Sequence, residues 1–590
     1  MSGRDVLLMK IYQEQKMSWN ILSFWLLFGL VLFLATTQVT QGETSLPEQS
    51  AARQFQQLEQ QQKAREEALM PKAPDIRLSE ESLPSSRIPF VDEKPCFMVS
   101  SVTLNGQDKL PHWVPLTRLA NQASGHCLGI QGINLLMETL QNRLISHGWV
   151  TTRVLAPPQD LSSGELRLQI VPGIIRDITL TENSSSYSNL YTALPARTGK
   201  LLDLRAIEQG LENLQRLPTV NTSMVLKPGD VPGESDIVIE RTQSRFWRLG
   251  AWLDDSGSKS TGLYQGGVML ALDNPSSLSD LFYLTASRDL KFGGQHKSTQ
   301  NLSAHYSVPF GYWLTGINVS DYSYYQTQPG KDIDISYSGR SQSLDWQLSR
   351  ILHRNATSKT TATYKVLVRE THNFINNTKI TDKKMRTSAW RAGLSHRHYL
   401  GPATLESGVN YQQGTRWFGA LPSYQESWDD HGGVTAQSKI LIWNAALIMP
   451  FTLAGQDFSW NTSWRRQMSN TPLIPQDEFV IGNRWTVRGF DEERTLSATR
   501  GWTVQNTFAW RTPLPSQELY LGADYGAVSG NSSTLTNLTG QHLAGMALGL
   551  RGAVSSSGLS YDFSVGMPLS KPDGFKTNPL STTFQLNWNG

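Results

Sequence analysis

Cys96 and Cys127 are the only two cysteines in the 590-residue chain. A pair about 30 residues apart in an oxidising compartment reads as a disulfide, worth roughly 3–4 kcal/mol in the chain-entropy model. Two unpaired thiols are the other reading. With no third cysteine, Cys-based zinc sites and catalytic thiol pairs elsewhere in the chain are excluded. Of the 11 histidines, His396 and His398 lie in an alternating run. Positions i and i+2 of a strand share a face, so the pair could meet a metal, but no third ligand accompanies it. A surface or lumen pair is the plainer reading. No Gly-rich phosphate loop and no G-x-S-x-G elbow is present. These residues describe a stapled scaffold, not an enzyme, with no cofactor and no metal.

The elements around them narrow the class. Only 17% of residues are charged, with 47 Gly, 18 Trp and 18 Tyr, and the mean hydropathy is -0.35. Many helical membrane spans and wholesale disorder are both excluded. A net charge of +3 leaves no nucleic-acid footprint. One apolar run, Ile21 to Ala35, follows Lys10 and Lys16. It is short for a span and reads as the core of a signal peptide over residues 1–42, with Met17 a possible start. An uncleaved anchor is the alternative. Nothing else can be a helical span, so the mature chain is expected to be soluble outside the cytoplasm or a membrane β-barrel.

Residues Gln49 to Met70 are rich in Gln, Glu, Ala and Arg, without Gly or Pro, and predict a helix. A helix polar all round has no core to join. Water, a coiled coil or a polar channel are its possible homes. Residues 71–94, with four prolines, predict an extended linker with no packed core. Residues 95–172 predict a small α/β unit: FMVSSVTLNG as a strand, a helix carrying Leu135, Leu136, Leu140, Leu144 and Ile145 that Gly148 ends, then two strands. Residues 173–242 repeat that β-α-β-β plan.

From Arg245 the texture changes to about sixteen alternating segments, from FWRLGAWLDD to TTFQLNWN, separated by turn residues. The count takes residues 333–342 as loop, though they could also be strand. About 22 residues per strand and connection fit an outer-membrane barrel over 243–590, with a soluble sandwich or propeller as the alternative. The longest connection, 467–501, is rich in apolar and aromatic residues and has mass enough to fold into a lumen.

The whole order resembles the outer-membrane transporters of two-partner secretion: the TpsB branch, with haemolysin secretion/activation proteins and contact-dependent inhibition transporters. Four stretches carry the resemblance. They are HGWVTTRVLAPPQDLSSGELRLQIVPGII, LRAIEQGLENLQRLPTVNTSMVLKPGDVPGESDIVIE, DDSGSKSTGLYQGGVMLALDNPSSLSD and VRGF at Val487, Arg488, Gly489 and Phe490. The resemblance implies a membrane β-barrel of about 16 antiparallel strands, two periplasmic α/β POTRA modules, and Gln49 to Met70 as a plug helix in the pore. It implies that Arg488 meets Asp524 of Gly522-Ala523-Asp524-Tyr525-Gly526 on the lumen wall, a pairing that a guanidinium in a narrow lumen needs. Gly489 would allow a sharp turn and Phe490 would pack the tip. Implied partners are a large secreted exoprotein whose N-terminal secretion domain the POTRA modules bind, outer-membrane lipid and the barrel assembly machinery, with no nucleic acid. An assembly factor of the same superfamily would not need the helix and linker, and a passive porin would not need residues 95–242. The chain ends Trp588-Asn589-Gly590, where barrels of this kind commonly end on an aromatic residue.

Overall fold

The computed structural model describes residues 60–61, 75–78 and 87–590, apart from 92, 112, 186, 291–296, 329–334, 377, 380–384, 421–436, 531–540 and 555. The leader expected at 1–42 lies outside these residues. So does the helix expected at Gln49 to Met70, except Gln60 and Gln61, which are helical.

The first module is a three-stranded sheet. Ser101–Asn105 lies parallel to Glu165–Val171, which pairs antiparallel with Arg153–Leu155. The helix Ile130–Ser146 buries Gly132, Leu136, Leu140 and Leu144, the i, i+4, i+8 stripe of an amphipathic helix. Gly148, at φ 96°, ends it. The expected single strand FMVSSVTLNG is two. Val99 is 1% exposed and turns into the core, bonding to His126 and Gly125. Phe97–Met98 therefore pairs with Cys127–Leu128, and only Ser101–Asn105 joins the sheet. The second module repeats the order: Ile174–Leu180 parallel to Glu234–Gln243, which pairs antiparallel with Val220–Pro228. Its helix is Leu204–Gln215, with the Asp203 side chain accepting from the Arg205 N–H at its start.

The linker reading needs correction. Ile76 packs against the core of the second module, and Ile88, 6% exposed, belongs to the core of the first. The Glu93 carboxylate accepts from the N–H groups of Gly129, Gln131 and Gly132 at the start of Ile130–Ser146. Burial alone would raise its pKa, but those three backbone donors outweigh it and hold it low.

Sixteen long antiparallel strands among the described residues, from Trp247–Asp254 to Ser581–Asn589, close into a barrel, with the short strand Thr378–Lys379 extending one hairpin. Burial is inverted relative to a soluble protein. Along Leu281–Asp289, Tyr283, Thr285, Ser287 and Asp289 are buried inward, whereas Leu284 is 38% exposed. Polar positions face the lumen and apolar ones the lipid. Residues 335–342 are strand, not loop. They lengthen Ile335–Arg354 rather than adding a strand, so the count stands. The last strand meets the first over five residue pairs, Gln585↔Asp254 to Asn589↔Gly250.

Candidate functional site

The connection expected at 467–501 is shorter at both ends, because the flanking strands run to Ser469 and from Arg500. Within it Phe479–Ile481 pairs with Leu496–Ala498 as a small hairpin that the sequence reading did not find. The hairpin and the tip carry a core of Phe479, Ile481, Val487, Phe490, Leu496 and Ala498. That core packs on Val528, Leu543 and Phe575 of the wall and its loops. Folding inward satisfies both the apolar residues and the polar backbone of a long loop.

Arg488 and Asp524 meet as the motif implied. Arg488 Nε donates to Asp524 Oδ2 at 2.6 Å and Nη2 to Oδ1 at 2.7 Å, and the Arg488 backbone N–H adds a third bond at 3.0 Å. Nη2 also donates to the Asn506 carbonyl at 2.9 Å. The Asp524 side chain is 0% exposed and that of Arg488 16%. A forked pair of this kind is charge-assisted and directional. Gly489 takes φ 98°, the turn expected of it. Val487 is fully buried, and Phe490 stands edge-on to Phe575 at 5.8 Å.

The wall beneath the motif lacks side chains. A Cβ on Gly522 would lie 2.5 Å from the Arg488 guanidinium carbon, and one on Gly566 2.8 Å from Gly489 Cα. A Cβ on Gly545 would collide with the Arg488 carbonyl. Three strands thus supply a glycine trench in which loop backbone lies against wall backbone. Gly522 was visible in the sequence beside Asp524. Gly545 and Gly566 were missed, because each sits in an alternating run that also fits a lipid-facing strand.

A second ionic cluster was also missed. Arg484 Nε donates to Glu492 at 2.7 Å and Nη1 to Asp255 at 2.8 Å. Asp255 also accepts from the Phe584 N–H at 3.0 Å. The loop tip is thereby tied to the end of the first strand and to the last strand at once. Glu493 accepts from the Lys259 N–H at 3.1 Å on the same side. Arg484 and Glu492 stand four residues either side of Arg488, a symmetry the sequence displays. The two described residues of the polar helix touch this region: Asn483 donates to Gln60 at 2.7 Å, and Gln61 donates to the Ser256 carbonyl. Gln60 also lines a lumen cavity of about 590 Å³ bordered by Lys359, Arg397, Glu406 and Arg465.

Cys96 and Cys127 form a disulfide with Cα atoms 5.4 Å apart, in the first module and far from the loop. His396 and His398 stack at 5.8 Å on the strand face that carries exposed Leu394 and Leu400. Among the described residues no group of three or more His, Cys, Asp and Glu is placed to hold a metal. The second module is docked on the barrel rim. Asn213 donates to the Gly311 carbonyl at 2.7 Å, Arg216 to Ser307 Oγ at 2.7 Å and Thr219 to Asp273 at 2.9 Å.

Comparison with known proteins gives one consistent set of relatives. Residues 233–552 match the family model described as haemolysin secretion/activation protein ShlB/FhaC/HecB. Residues 97–173 match a POTRA domain of ShlB type, and 174–228 a POTRA domain. The chain is 33% identical over 575 residues to the outer membrane transporter CdiB-2 of Burkholderia pseudomallei (strain 1026b), covering 94% of this chain and 97% of that one. It is 26% identical to the hemolysin transporter protein ShlB of Serratia marcescens, covering 81% and 80%. Its fold is similar to that of CdiB from Escherichia coli, with TM-score 0.79 and 26% identity over 93% of this chain and 100% of that one.

Proposed function

The chain belongs to the haemolysin secretion/activation protein family of two-partner secretion transporters, and from that premise we propose how its residues move an exoprotein. The protein is an outer-membrane transporter that passes a partner exoprotein from periplasm to cell surface. The two POTRA modules receive the N-terminal secretion domain of the unfolded exoprotein. Their free sheet edges, Val220–Pro228 among them, offer main-chain hydrogen bonds that tolerate any side chain. Residues Gln49 to Met70 plug the lumen at rest, and the loop bearing Val487, Arg488, Gly489 and Phe490 lines the path. Arg488 and Asp524 hold that loop in its inward position. Lipid faces the outer wall, and the barrel assembly machinery inserts it. No bond is made or broken and no cofactor takes part.

The observation that carries this reading is the forked Arg488–Asp524 contact inside a closed barrel whose rim bears the second of two α/β modules. The test is surface display. A strain lacking the transporter should lose one large exoprotein from its surface, and the gene for this chain should restore it. Arg488→Ala should restore barrel but not display. Full display with Arg488→Ala would remove the loop from the mechanism. Unchanged display in the deletion strain would remove the transport role itself.

A further inference from the structure

Residues 75–78 run as an extended strap between the second module and the barrel rim. The Ile76 N–H donates to Glu212 Oε1 at 3.0 Å and the Leu78 N–H to Glu208 Oε1 at 2.9 Å. Arg354 Nη2 donates to the Ile76 carbonyl at 2.5 Å. The Asp75 carboxylate lies 3.3 Å from both Lys359 Nζ and Arg397 Nη1. The Arg77 guanidinium rests 4.2 Å from the centre of the Tyr399 ring, and Ile76 reaches the module core.

The spacing is general, not particular to this strap. Glu208 and Glu212 are one helical turn apart, a rise of about 6 Å. Alternate N–H groups of an extended chain are about 6.6 Å apart. Two glutamates at i and i+4 on a buried helix face therefore match any extended polypeptide. Three of the strap's contacts are to its main chain, and so independent of its side chains.

Each charge of the groove also keeps a partner when the groove is empty. Arg354 pairs with Glu212 at 2.8 Å and with Glu208 at 3.3 Å, and Arg205 pairs with Glu208 at 2.7 Å. Lys359 keeps Glu212 at 3.2 Å, and Arg397 keeps Glu406 at 2.6 Å. Losing the strap leaves none of these charges alone, so the cost of a buried orphan ion does not oppose its departure. The Tyr399 hydroxyl is buried and has no hydrogen-bond partner among the described residues, a spare polar contact for an occupant.

We propose that this groove receives an extended segment of the exoprotein in transit, and that residues 75–78 hold its place at rest. The inference rests on the transport reading above. The favoured segment has an aliphatic residue preceded by an acidic one, as Asp75 and Ile76 are. A tethered strap acts at an effective concentration on the order of millimolar, so a free peptide competes poorly. A chain already threaded through the same mouth has a comparable advantage and displaces the strap.

The test is site-specific photo-crosslinking in cells with the full-length transporter. Tyr399→p-benzoylphenylalanine probes the groove and Gln505→p-benzoylphenylalanine the lumen cavity. The probe is the exoprotein's secretion domain fused to a domain that folds in the periplasm and stalls. Without it, position 399 should give the adduct to the linker. With it, that adduct should be lost and an exoprotein adduct gained. Asp75→Ala should raise the ratio of exoprotein to linker adduct about ten-fold, the loss of one charge-assisted contact. An exoprotein adduct at 505 with an unchanged linker adduct at 399 overturns the inference and leaves transport intact. No exoprotein adduct at either position overturns both.

Discussion

Removing the Arg488 side chain should undock the lumen loop by an amount the geometry sets. The Asp524 side chain is 0% exposed. In Arg488→Ala it retains backbone N–H donors at 3.0 Å and 3.3 Å, from residues 488 and 506, but no counter-charge. Leaving one member of a buried pair costs about 3–5 kcal/mol. That shifts the docking equilibrium by roughly two to four orders of magnitude. Asp524→Asn should cost less, about 1.5–3 kcal/mol, because Arg488 is 16% exposed and keeps the Asn506 carbonyl. The double substitution Arg488→Ala with Asp524→Ala should be milder than Arg488→Ala alone, since no carboxylate is stranded. Hydrogen exchange of the Phe479–Ile481 and Leu496–Ala498 amides reads loop opening in the intact protein. Exchange in the barrel strands separates undocking from unfolding. If the double variant exchanges as fast as or faster than Arg488→Ala, the two residues do not act as a buried pair, and the assignment fails.

Gly545→Ala should release the same loop, because its Cβ meets the Arg488 carbonyl, at a cost of about 1–3 kcal/mol. Gly408→Ala, whose nearest contact is 3.6 Å, should stay within about 0.5 kcal/mol by the same exchange measurement. Replacing Cys96 and Cys127 by Ser should destabilise the first module by about 3–4 kcal/mol, read as faster proteolysis of that module in the full chain. Arg354→Ala should loosen the second module from the rim by about 1.5–3 kcal/mol, the loss of its charge-assisted bonds while Arg205 and Lys359 still pair Glu208 and Glu212, and spin-label distances between module and barrel should broaden. Burial, and then the Arg143 charge, holds His147 below its ordinary 6.5. The unfolded module then binds more protons in acid, so this contribution is complete above about pH 6.5 and is lost as pH falls through the depressed value. Amide protection in the first module should drop accordingly, and His147→Gln should flatten the dependence.

The barrel was legible because its strands alternate with period two, and because a run such as Leu281–Asp289 puts its polar residues on one parity. Strand ends were not. Residues 335–342 read equally as loop or strand, and only pairing with 321–328 and 370–375 decides it. Asp524 was reached through the family resemblance, whose Gly-x-Asp-x-Gly pattern residues 522–526 match. Arg484 and Glu492 were not, although each stands four residues from Arg488, and Asp255 was not, since nothing in the local sequence links position 255 to them. The helix Leu204–Gln215 is the clearest lesson. Its amphipathic pattern alone assigns Glu208, Gln209, Glu212 and Asn213 to water, yet all four are buried under the barrel rim and the strap. Sequence periodicity reports how many faces an element has, but not what covers the polar one.

Asp255 receives Arg484 from the loop and the Phe584 N–H from the last strand, at the end of the first strand. Three pieces of chain separated by hundreds of residues converge on one carboxylate. That bears on the seam of the wall. The junction between last and first strands has five residue pairs, fewer than any other pairing between neighbouring long strands. The loop, hinged at Ser469 and Arg500, reaches Asp255 from inside. It lies like a clasp behind a zip, so that parting the two edge strands must also break the bonds that meet on this carboxylate.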